Sequence, residues 1–423
     1  MKTILIRTFA VTVILALCFG CARLKTEDTT ALPEQPVLQQ KIELNLMLNS
    51  PELTQQYRRM KYVYEAHCTN VVLKMDVRRD DYGTVLKTKL NAGEAPDIFI
   101  TSAYNDNYLY QSYLYALDDQ PLIQNIEPSL LDGVTVNGSI LGCPLLVQSH
   151  SFIYNKALFR AAGITALPQT LDEYRAACEQ LSQKNIQPFA TGFADWWVLP
   201  QTFYPSMSDV NSGDYRGLLE ATRQGIVKAG ELPETAFALD VLDLVKQYGG
   251  LEPMKSTFDS QCADFAAGKA AMIHQGSWAE QTILNLNPKL ELGYLSAPRL
   301  NGTGVIAADS NLTLRVYKDS KVLDEALTFL NWLITSEFGK CWVPNQVKQL
   351  SPQKDAPVPD TPLSVQAAEA IKQKQTCTWW IFESPNDIEQ PLGLALQEYV
   401  SGARNRAQIQ EDITKLFATD KTP

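Results

Sequence analysis

The sequence contains few of the residues from which metal and nucleic-acid sites are built. Only three histidines occur, His67, His150 and His274, and their wide separation argues against a histidine-rich metal site. The formal net charge is −10, and there is no basic stripe of the kind that neutralises nucleic-acid phosphates. A Gly-x-Ser-x-Gly motif is also absent, so no serine-hydrolase nucleophile is indicated.

The chain is long enough for more than one domain. Its 423 residues predict two or three domains with real hydrophobic cores. The counts of 22 Gly and 23 Pro are ordinary for this length, which excludes a collagen-like chain. Six cysteines follow Cys21 at wide spacings without a CxxC pair, and we expect them to be small buried side chains, although disulfide bonds remain an alternative.

The first twenty residues have the pattern of an export signal. Lys2 and Arg7 precede an apolar run at residues 9–19, which is short for a membrane-spanning helix of about 20 apolar residues. The run ends in Leu17-Cys18-Phe19-Gly20-Cys21. This ending resembles the lipobox of bacterial lipoproteins, except that Cys18 stands at the usual leucine position.

The lipobox resemblance implies a membrane anchor. Residues 1–20 would be a lipoprotein signal peptide, and Cys21 would carry acyl chains such as palmitate. A plain signal peptide with a chance cysteine is the alternative. Residues 21–40 are polar and aperiodic, so we expect a flexible tether of roughly 25 Å average reach on the outer face of a bacterial cell membrane.

Apolar periodicity predicts an α/β fold from residue 41 onwards. Residues 42–48 and 71–77 alternate between apolar and polar side chains, and residues 96–100 form a short apolar run. Helical patterns separate these strands, and Ser50 with Pro51 looks like a helix start. Strand, helix, strand, helix, strand is the order of a parallel sheet covered by helices.

Helix signals recur in the later part of the chain. Residues 170–173 form a Thr-Leu-Asp-Glu capping box, and apolar side chains at residues 323–334 have helical spacing. We also expect helices at residues 364–375, 392–401 and 406–417. No tandem repeat of the solenoid type is present.

Three sequence blocks resemble one protein family. They are GEAPDIF at residues 93–99, YNKALF at 154–159 followed by AGI at 162–164, and FAAGKAAM at 265–272 followed by GSW at 276–278. In this order and spacing they resemble the extracellular solute-binding proteins of ABC importers, the carbohydrate-type family 1 that includes maltose-binding proteins. The resemblance covers nearly the whole body, from about Lys41 to Leu416.

The family resemblance implies a two-lobed periplasmic-binding-protein-like fold of type II. Each lobe would be a sheet flanked by helices, and the chain would cross between lobes near residues 148–150, 300–304 and 342–347. Lobe 1 would comprise residues 41–147 plus 303–344, and lobe 2 residues 148–302 plus 345–423. The implied protein is a monomer that captures a carbohydrate and delivers it to permease subunits, without a cofactor and without enzymatic activity.

A sugar site needs aromatic faces beside planar polar groups. Aromatic rings cover the C–H patches of a sugar, and amides or carboxylates bind its hydroxyls. Asp195, Trp196 and Trp197 fit this pattern, because they follow the apolar stretch at residues 188–193 and the family resemblance implies an acid and a stacking ring there. Their alternative role is core packing.

Other candidates are expected at strand ends or hinge positions. The candidate ligand-binding residues are Asn49, Tyr104, Asn105, Gln148, Trp278, Asp309, Asn311, Trp379 and Trp380. Trp278 is the tryptophan of the GSW block, and Tyr104 follows the strand of the GEAPDIF block. Each candidate also has a structural alternative: helix capping for Asn49, a hinge hydrogen bond for Gln148, and packing for the tryptophans.

Three other functions remain open from the sequence. A glycan hydrolase would need a pair of catalytic carboxylates, and nothing singles one out. The same fold could bind a polyamine through Asp195 and cation–π contacts. A lipid-anchored adhesin or sensor without transport is the third alternative.

Overall fold

Strands alternate with helices along the chain, as its periodicity predicts. The computed structural model describes residues 41–79, 81–208, 215–250, 252–310, 312–379, 383 and 388–418. In chain order the strands are β1 (Ile42–Leu48), β2 (Val71–Val77), β3 (Ile98–Thr101), β4 (Thr135–Val136), β5 (Ser139–Ile140), β6 (Cys143–Pro144), β7 (Gln148–Asn155), β8 (Gln187–Ala190), β9 (Ala270–Gly276), β10 (Leu292–Leu295), β11 (Ala297–Arg299), β12 (Gly302–Asp309), β13 (Thr313–Val316) and β14 (Thr376–Cys377).

The helices cover the predicted positions and several more. They are α1 (Thr54–His67), α2 (Tyr82–Ala92), α3 (Asn105–Tyr110), α4 (Lys156–Ala162), α5 (Leu171–Gln183), α6 (Phe203–Met207), α7 (Tyr215–Arg223), α8 (Pro233–Gln247), α9 (Phe258–Ala266), α10 (Trp278–Leu286), α11 (Leu323–Thr335), α12 (Glu337–Trp342), α13 (Pro362–Lys372), α14 (Glu389–Ser401) and α15 (Arg406–Ala418). Short 3₁₀ turns and one π-helical segment, Val343–Val347, complete the described elements.

The first sheet has five strands in the order β2-β1-β3-β13-β6. β1 runs parallel to β2 and to β3, because α1 and α2 carry the chain back between successive strands. β13 arrives from a distant part of the sequence and is antiparallel to β3 and β6. The predicted parallel sheet is therefore correct for its first three strands, and the complete sheet is mixed.

The second sheet has seven strands and is also mixed. Its main order is β11-β12-β7-β9-β8, with β10 paired to β7 and β14 paired to β12. β8 is parallel to β9, and β14 is parallel to β12. Helices α5 and α9 pack on β8, and α13 packs on β10 and β12. The predicted α/β class is confirmed.

The described chain passes between the two main sheets after β6, after β12 and after β13. The first passage, between β6 and β7, leads from the first sheet to the second. The return comes after Asp309, because β12 belongs to the second sheet and its residues Ala307, Ala308 and Asp309 pair with β7. The predicted crossing points between lobes and the division into two lobes stay predictions.

One of the two predicted helix starts is present as expected. The Thr170 hydroxyl accepts a hydrogen bond from the Glu173 N–H at 3.3 Å, and the Glu173 carboxylate accepts from the Thr170 N–H at 3.0 Å. At the other start, Ser50 has a left-handed backbone (φ 59°) and makes no side-chain cap. A 3₁₀ turn at Pro51–Leu53 precedes α1 instead, so the predicted Ser50 cap is wrong.

Each sheet carries its own buried core. Phe329 and Leu330 of α11 are fully buried against the first sheet, and Phe265 of α9 is fully buried against the second. The six cysteines of the body are free thiols. Half of them are buried, namely Cys143, Cys178 and Cys262, which agrees with the expected apolar role.

Within the part of the chain that the structure describes, no helix is both long enough and apolar enough to cross a membrane. The predicted signal peptide, the tether and Cys21 lie outside the described residues.

Candidate functional site

A cleft of about 330 Å³ opens where strands of both sheets end. This volume falls in the range of about 300–1,000 Å³ that is typical of small-molecule sites. On the first-sheet side its lining comes from the segments that follow β1, β2 and β3, together with the residue before β13. We call this side the polar wall; it consists of Asn49, Ser50, Pro51, Glu52, Arg79, Ser102 and Leu312.

The opposite side carries most of the aromatic rings. Segments that follow the parallel strands β8, β9 and β14 supply its tryptophans. We call this side the aromatic wall; it consists of Trp197, Gln201, Tyr204, Phe258, Trp278, Trp379 and Glu389. Gln148, the first residue of β7, lies between the two walls. Open α/β sheets place ligands at the carboxyl ends of their strands. The strand ends of both sheets therefore indicate this cleft as the candidate ligand site.

Three rings form one aromatic platform. The Trp197 ring centroid lies 5.4 Å from that of Phe258 and 6.4 Å from that of Trp278. Their planes are inclined by 54° and 63°, within the tilted and edge-to-face arrangements that aromatic pairs prefer. The rings therefore make a contiguous apolar surface on the cleft.

A chain of amides fixes the Trp278 ring. The indole N–H donates to Gln275 Oε1 at 2.9 Å, and the Gln275 amide donates to Gln261 Oε1 at 2.9 Å. Gln261 in turn donates to the Ala190 carbonyl at 3.0 Å. Both glutamines are buried, and each interior polar group that finds a partner avoids a desolvation cost of about 1–3 kcal/mol. The ring is thus held before any ligand arrives.

The glycine of the GSW block makes room for this ring. A Cβ atom at Gly276 would lie 2.2 Å from the Trp278 ring, far inside the van der Waals distance. Any other residue at Gly276 would push the indole away. The Gly-x-Trp spacing therefore has a steric cause.

A second aromatic platform lies on the same wall. Tyr204 and Trp379 stack with ring centroids 5.2 Å apart and an interplanar angle of 26°. The Cys377 thiol lies 3.6 Å from the Tyr204 carbonyl, which links β14 to α6. The indole nitrogen of Trp379 is buried and has no hydrogen-bond partner among the described residues.

Two buried histidines connect the platforms from behind. His150 lies 5.9 Å from Trp278 and 5.7 Å from Tyr204, measured between ring centroids, and 4.4 Å from His274. Burial lowers the pKa of His274 to about 3. Burial, with His274 nearby, also places the pKa of His150 well below its ordinary value. Both imidazoles are therefore neutral, and they support the aromatic wall from behind.

The polar wall offers charged and neutral hydrogen-bonding groups. Arg79 forms an ion pair with Glu52 at 3.2 Å, and both side chains are partly exposed. Asn49 and Ser50 lie beside them at the end of β1, and Ser102 follows β3. This wall can donate to and accept from hydroxyl groups on a ligand that the aromatic wall holds.

Five of the predicted site residues line the cleft: Asn49, Gln148, Trp197, Trp278 and Trp379. Asn311 and Trp380 lie outside the described residues. For these five residues, the expectation that side chains near strand ends lie close together agrees with the structure. Their contact with a ligand stays a prediction.

Asp195 and Trp196 lie outside the lining of the cleft, and a contact of either residue with a ligand stays a prediction. Asp195 accepts a hydrogen bond from the Phe258 N–H at 2.6 Å. Its carboxylate therefore pairs with a main-chain N–H in the first turn of α9, where a negative charge is favourable. Trp196 packs against Gly393 of α14. Neither residue is among those that line the cleft. Of the Asp-Trp-Trp triplet, only Trp197 faces it.

Tyr104, Asn105 and Asp309 are also absent from the lining of the cleft. All three are buried, with no more than 5% of each residue exposed. The Tyr104 hydroxyl donates to the Asp309 carboxylate. These residues lie behind the cleft lining and not on it.

Several cleft residues were not anticipated from the sequence. Glu52 and Arg79 follow β1 and β2, so the rule about strand carboxyl ends could have found them. Gln201 and Tyr204 sit on short helices after a loop, where no spacing signal identifies them. Among the described residues, no group of three or more His, Cys, Asp or Glu side chains could hold a metal ion.

Comparison with known proteins decides the family. A family model described as bacterial extracellular solute-binding protein matches residues 64–343, more than half of the chain. The chain belongs to this extracellular solute-binding family. The resemblance that the three sequence blocks indicate is therefore confirmed.

Relatives of this solute-binding protein are distant in sequence and close in fold. The chain is 26% identical over 270 residues to the multiple sugar-binding protein of Streptococcus mutans, a match that spans 60% of this chain and 62% of that protein. The structure of a chitin oligosaccharide binding protein superposes with a TM-score of 0.76 at 22% identity, covering 89% of this chain and 98% of the other.

A third comparison gives the same fold. The solute-binding protein RafE, solved in complex with raffinose, superposes with a TM-score of 0.76 at 17% identity and covers 89% of this chain and 99% of that one. The fold is of type II, as predicted.

Proposed function

We propose that this solute-binding protein captures a carbohydrate in the cleft and delivers it to the permease of an ABC importer. The observation that carries the proposal is the pairing of an aromatic wall with a polar wall across one opening. A pyranose ring presents C–H faces and a rim of hydroxyls. Aromatic rings cover such faces, and the polar groups opposite bind the rim.

The relatives support a sugar as the ligand. The Streptococcus mutans relative is named for multiple sugars, and the two superposed structures are named for chitin oligosaccharide and raffinose. Five aromatic side chains on one wall suit a neutral ligand with several ring faces. Binding to both walls would favour a closed state over an open one, which is how a ligand shifts a hinge equilibrium.

The proposed role is transport without chemistry. We assign the protein no catalytic group, and we expect a bound oligosaccharide to leave unchanged. We also propose that Cys21 is acylated, that residues 1–20 are removed as a lipoprotein signal peptide, and that the monomeric body acts at the outer face of the cell membrane. Two acyl chains give stable anchoring where one gives marginal binding.

Calorimetric titration tests the proposal. We expect raffinose, chitin oligosaccharides or a related member of an oligosaccharide panel to bind one site, and to raise the melting temperature as ligand linkage requires. Thin-layer or mass analysis after incubation should show no cleavage products. Spermidine belongs in the same panel, and binding of spermidine without any sugar would overturn the carbohydrate assignment. So would hydrolysis of the sugar.

A further inference from the structure

A buried carboxylate lies directly behind the aromatic wall. Asp309 ends β12, and only 5% of the residue is exposed. It accepts hydrogen bonds from the Tyr104 hydroxyl, from the Trp379 N–H at 2.9 Å and from the Ser310 N–H at 2.8 Å. Among the described residues no lysine or arginine forms an ion pair with it. Three donors therefore serve a buried carboxyl group to which the described part of the chain brings no ion-pairing cation.

Such a carboxylate is unfavourable to bury. Burial of an ionised carboxyl without a cation costs several kcal/mol unless hydrogen bonds replace the lost water. Burial raises the pKa of Asp309, and the three hydrogen bonds act against that rise. An aliphatic side chain of similar size would fill the space at lower cost. We therefore looked for a role of the buried carboxylate in the positions of the three groups that donate hydrogen bonds to it.

Two of the three donors lead to the cleft. Trp379 is fixed through its own main-chain N–H, and its ring stacks on Tyr204 in the second aromatic platform. Tyr104 comes shortly after β3, two residues beyond Ser102 of the polar wall. Its backbone has the unusual values φ 60° and ψ −105°, which a non-glycine residue adopts only when the surroundings hold it.

We propose that Asp309 is a positioning residue for ligand binding, which holds Trp379 in place on the aromatic wall and ties it to the Tyr104 segment of the opposite side. Asp309 itself makes no contact with the ligand. The expected effect of Asp309 on sugar affinity rests on the proposed function. The arrangement of Trp379 in the free protein follows from the structure alone.

The two carboxylate oxygens are used unequally, which decides the choice of variant. One oxygen, Oδ2, accepts from both Tyr104 and Trp379, and the other, Oδ1, accepts from Ser310. The substitution Asp309→Asn would leave one acceptor oxygen, and if that oxygen turned towards Trp379 only Ser310 would lose its partner. The substitution Asp309→Ala removes both acceptors, so the Trp379 N–H loses its partner.

The buried Asp97 provides a matched control. It is 7% exposed, accepts from the Asn45 N–H at 2.7 Å and from the Ser320 hydroxyl at 2.7 Å, and does not line the cleft. Asp97→Ala should therefore lower the melting temperature by a similar mechanism, without any change at Trp379.

The first experiment needs no ligand. The contribution of Trp379 to fluorescence and acrylamide quenching is obtained by subtracting the Trp379→Phe variant from its parent. We expect this contribution to differ between the wild-type and Asp309→Ala backgrounds, and to be the same in the wild-type and Asp97→Ala backgrounds. An unchanged Trp379 contribution in folded Asp309→Ala would overturn the proposal, whether or not the protein binds any sugar.

The second experiment is a double-mutant cycle on affinity, with the tightest-binding oligosaccharide of the panel. Asp309→Ala should weaken binding about fivefold or more in the wild-type background and by less than about twofold in the Trp379→Ala background. Asp97→Ala should leave affinity unchanged. Equal losses in both backgrounds would mean that Asp309 does not act through Trp379. If no sugar binds the wild type, the proposed function fails while the fluorescence test still decides the role of Asp309.

Discussion

The indole of Trp278 lies nearly parallel to the imidazole of His150, with ring centroids 5.9 Å apart and an interplanar angle of 15°. His150 is fully buried, whereas Trp278 lines the cleft. One stacked pair thus joins the ligand-facing surface to the interior of the second sheet. The amide chain through Gln275 and Gln261 fixes the same indole from its edge.

Removing the Trp278 ring should weaken ligand binding without unfolding the protein. We expect Trp278→Ala to weaken oligosaccharide binding by more than about 1 kcal/mol, because the ring supplies an apolar face at the centre of the aromatic wall. Isothermal titration calorimetry measures the loss. Trp332→Ala is the matched control, since Trp332 packs on Tyr64 and Phe338 away from the cleft. Equal affinity of the two variants would remove Trp278 from the site.

A methyl group at position 276 should displace the same ring. Gly276→Ala places a Cβ 2.2 Å from the Trp278 indole, so we expect a lower sugar affinity and a shifted tryptophan emission. Gly83→Ala serves as control, because nothing lies within 4 Å of its Cβ position in α2. Calorimetry and fluorescence on both variants check this. Wild-type affinity in Gly276→Ala would show that the ring position does not matter.

Stability should fall as the pH drops below about 6.5. The folded-state pKa of His274 is about 3, lower than the ordinary value of about 6.5 that applies when the chain is unfolded. The unfolded chain therefore takes up protons first, and the stabilisation present above pH 6.5 is lost progressively on the way down to pH 3. We expect a loss of roughly 1 kcal/mol per buried imidazole between about pH 7.5 and 5.5.

Urea unfolding at several pH values measures this dependence. The variant His274→Gln keeps a polar side chain that does not titrate, so its unfolding free energy should change less steeply over the same range. An identical slope in wild type and variant would mean that His274 is not held neutral by the fold.

The capping box of α5 should matter for stability alone. Thr170→Ala removes the acceptor for the Glu173 N–H and should lower the free energy of unfolding by about 1 kcal/mol. Thr170 does not line the cleft, so sugar affinity should stay at the wild-type value. Chemical denaturation and calorimetry on the one variant separate the two effects. A large change in affinity would indicate coupling that the structure does not explain.

Much of the secondary structure could be predicted from the sequence. β1 and β2 carry apolar side chains at every second position, and α11 has a continuous helical stripe, so local pattern and final fold agree. The mixed character of both sheets could not be predicted in this way. The antiparallel pairing of β13 with β3 depends on where the chain re-enters the first sheet, which is a long-range property.

The candidate site was predicted only in part, for a related reason. A short polar side chain near a strand end can bind a ligand or satisfy the backbone, and the sequence does not distinguish the two. Asp195 serves the first turn of α9, and Asp309 serves Trp379 and Tyr104. Large aromatic rings near strand ends gave a better guide. Trp197, Trp278 and Trp379 line the cleft, whereas Trp196 packs against Gly393 of α14.

A crystal structure of the protein with its tightest-binding oligosaccharide would show whether the sugar lies between the aromatic wall and the polar wall. We expect a pyranose ring stacked on Trp278 or Trp379, with hydroxyls turned towards the Asn49, Glu52 and Arg79 side of the cleft. A sugar bound at another place on the body, or bound in this cleft without contact to any of the tryptophans, would show that the two walls are not the binding site.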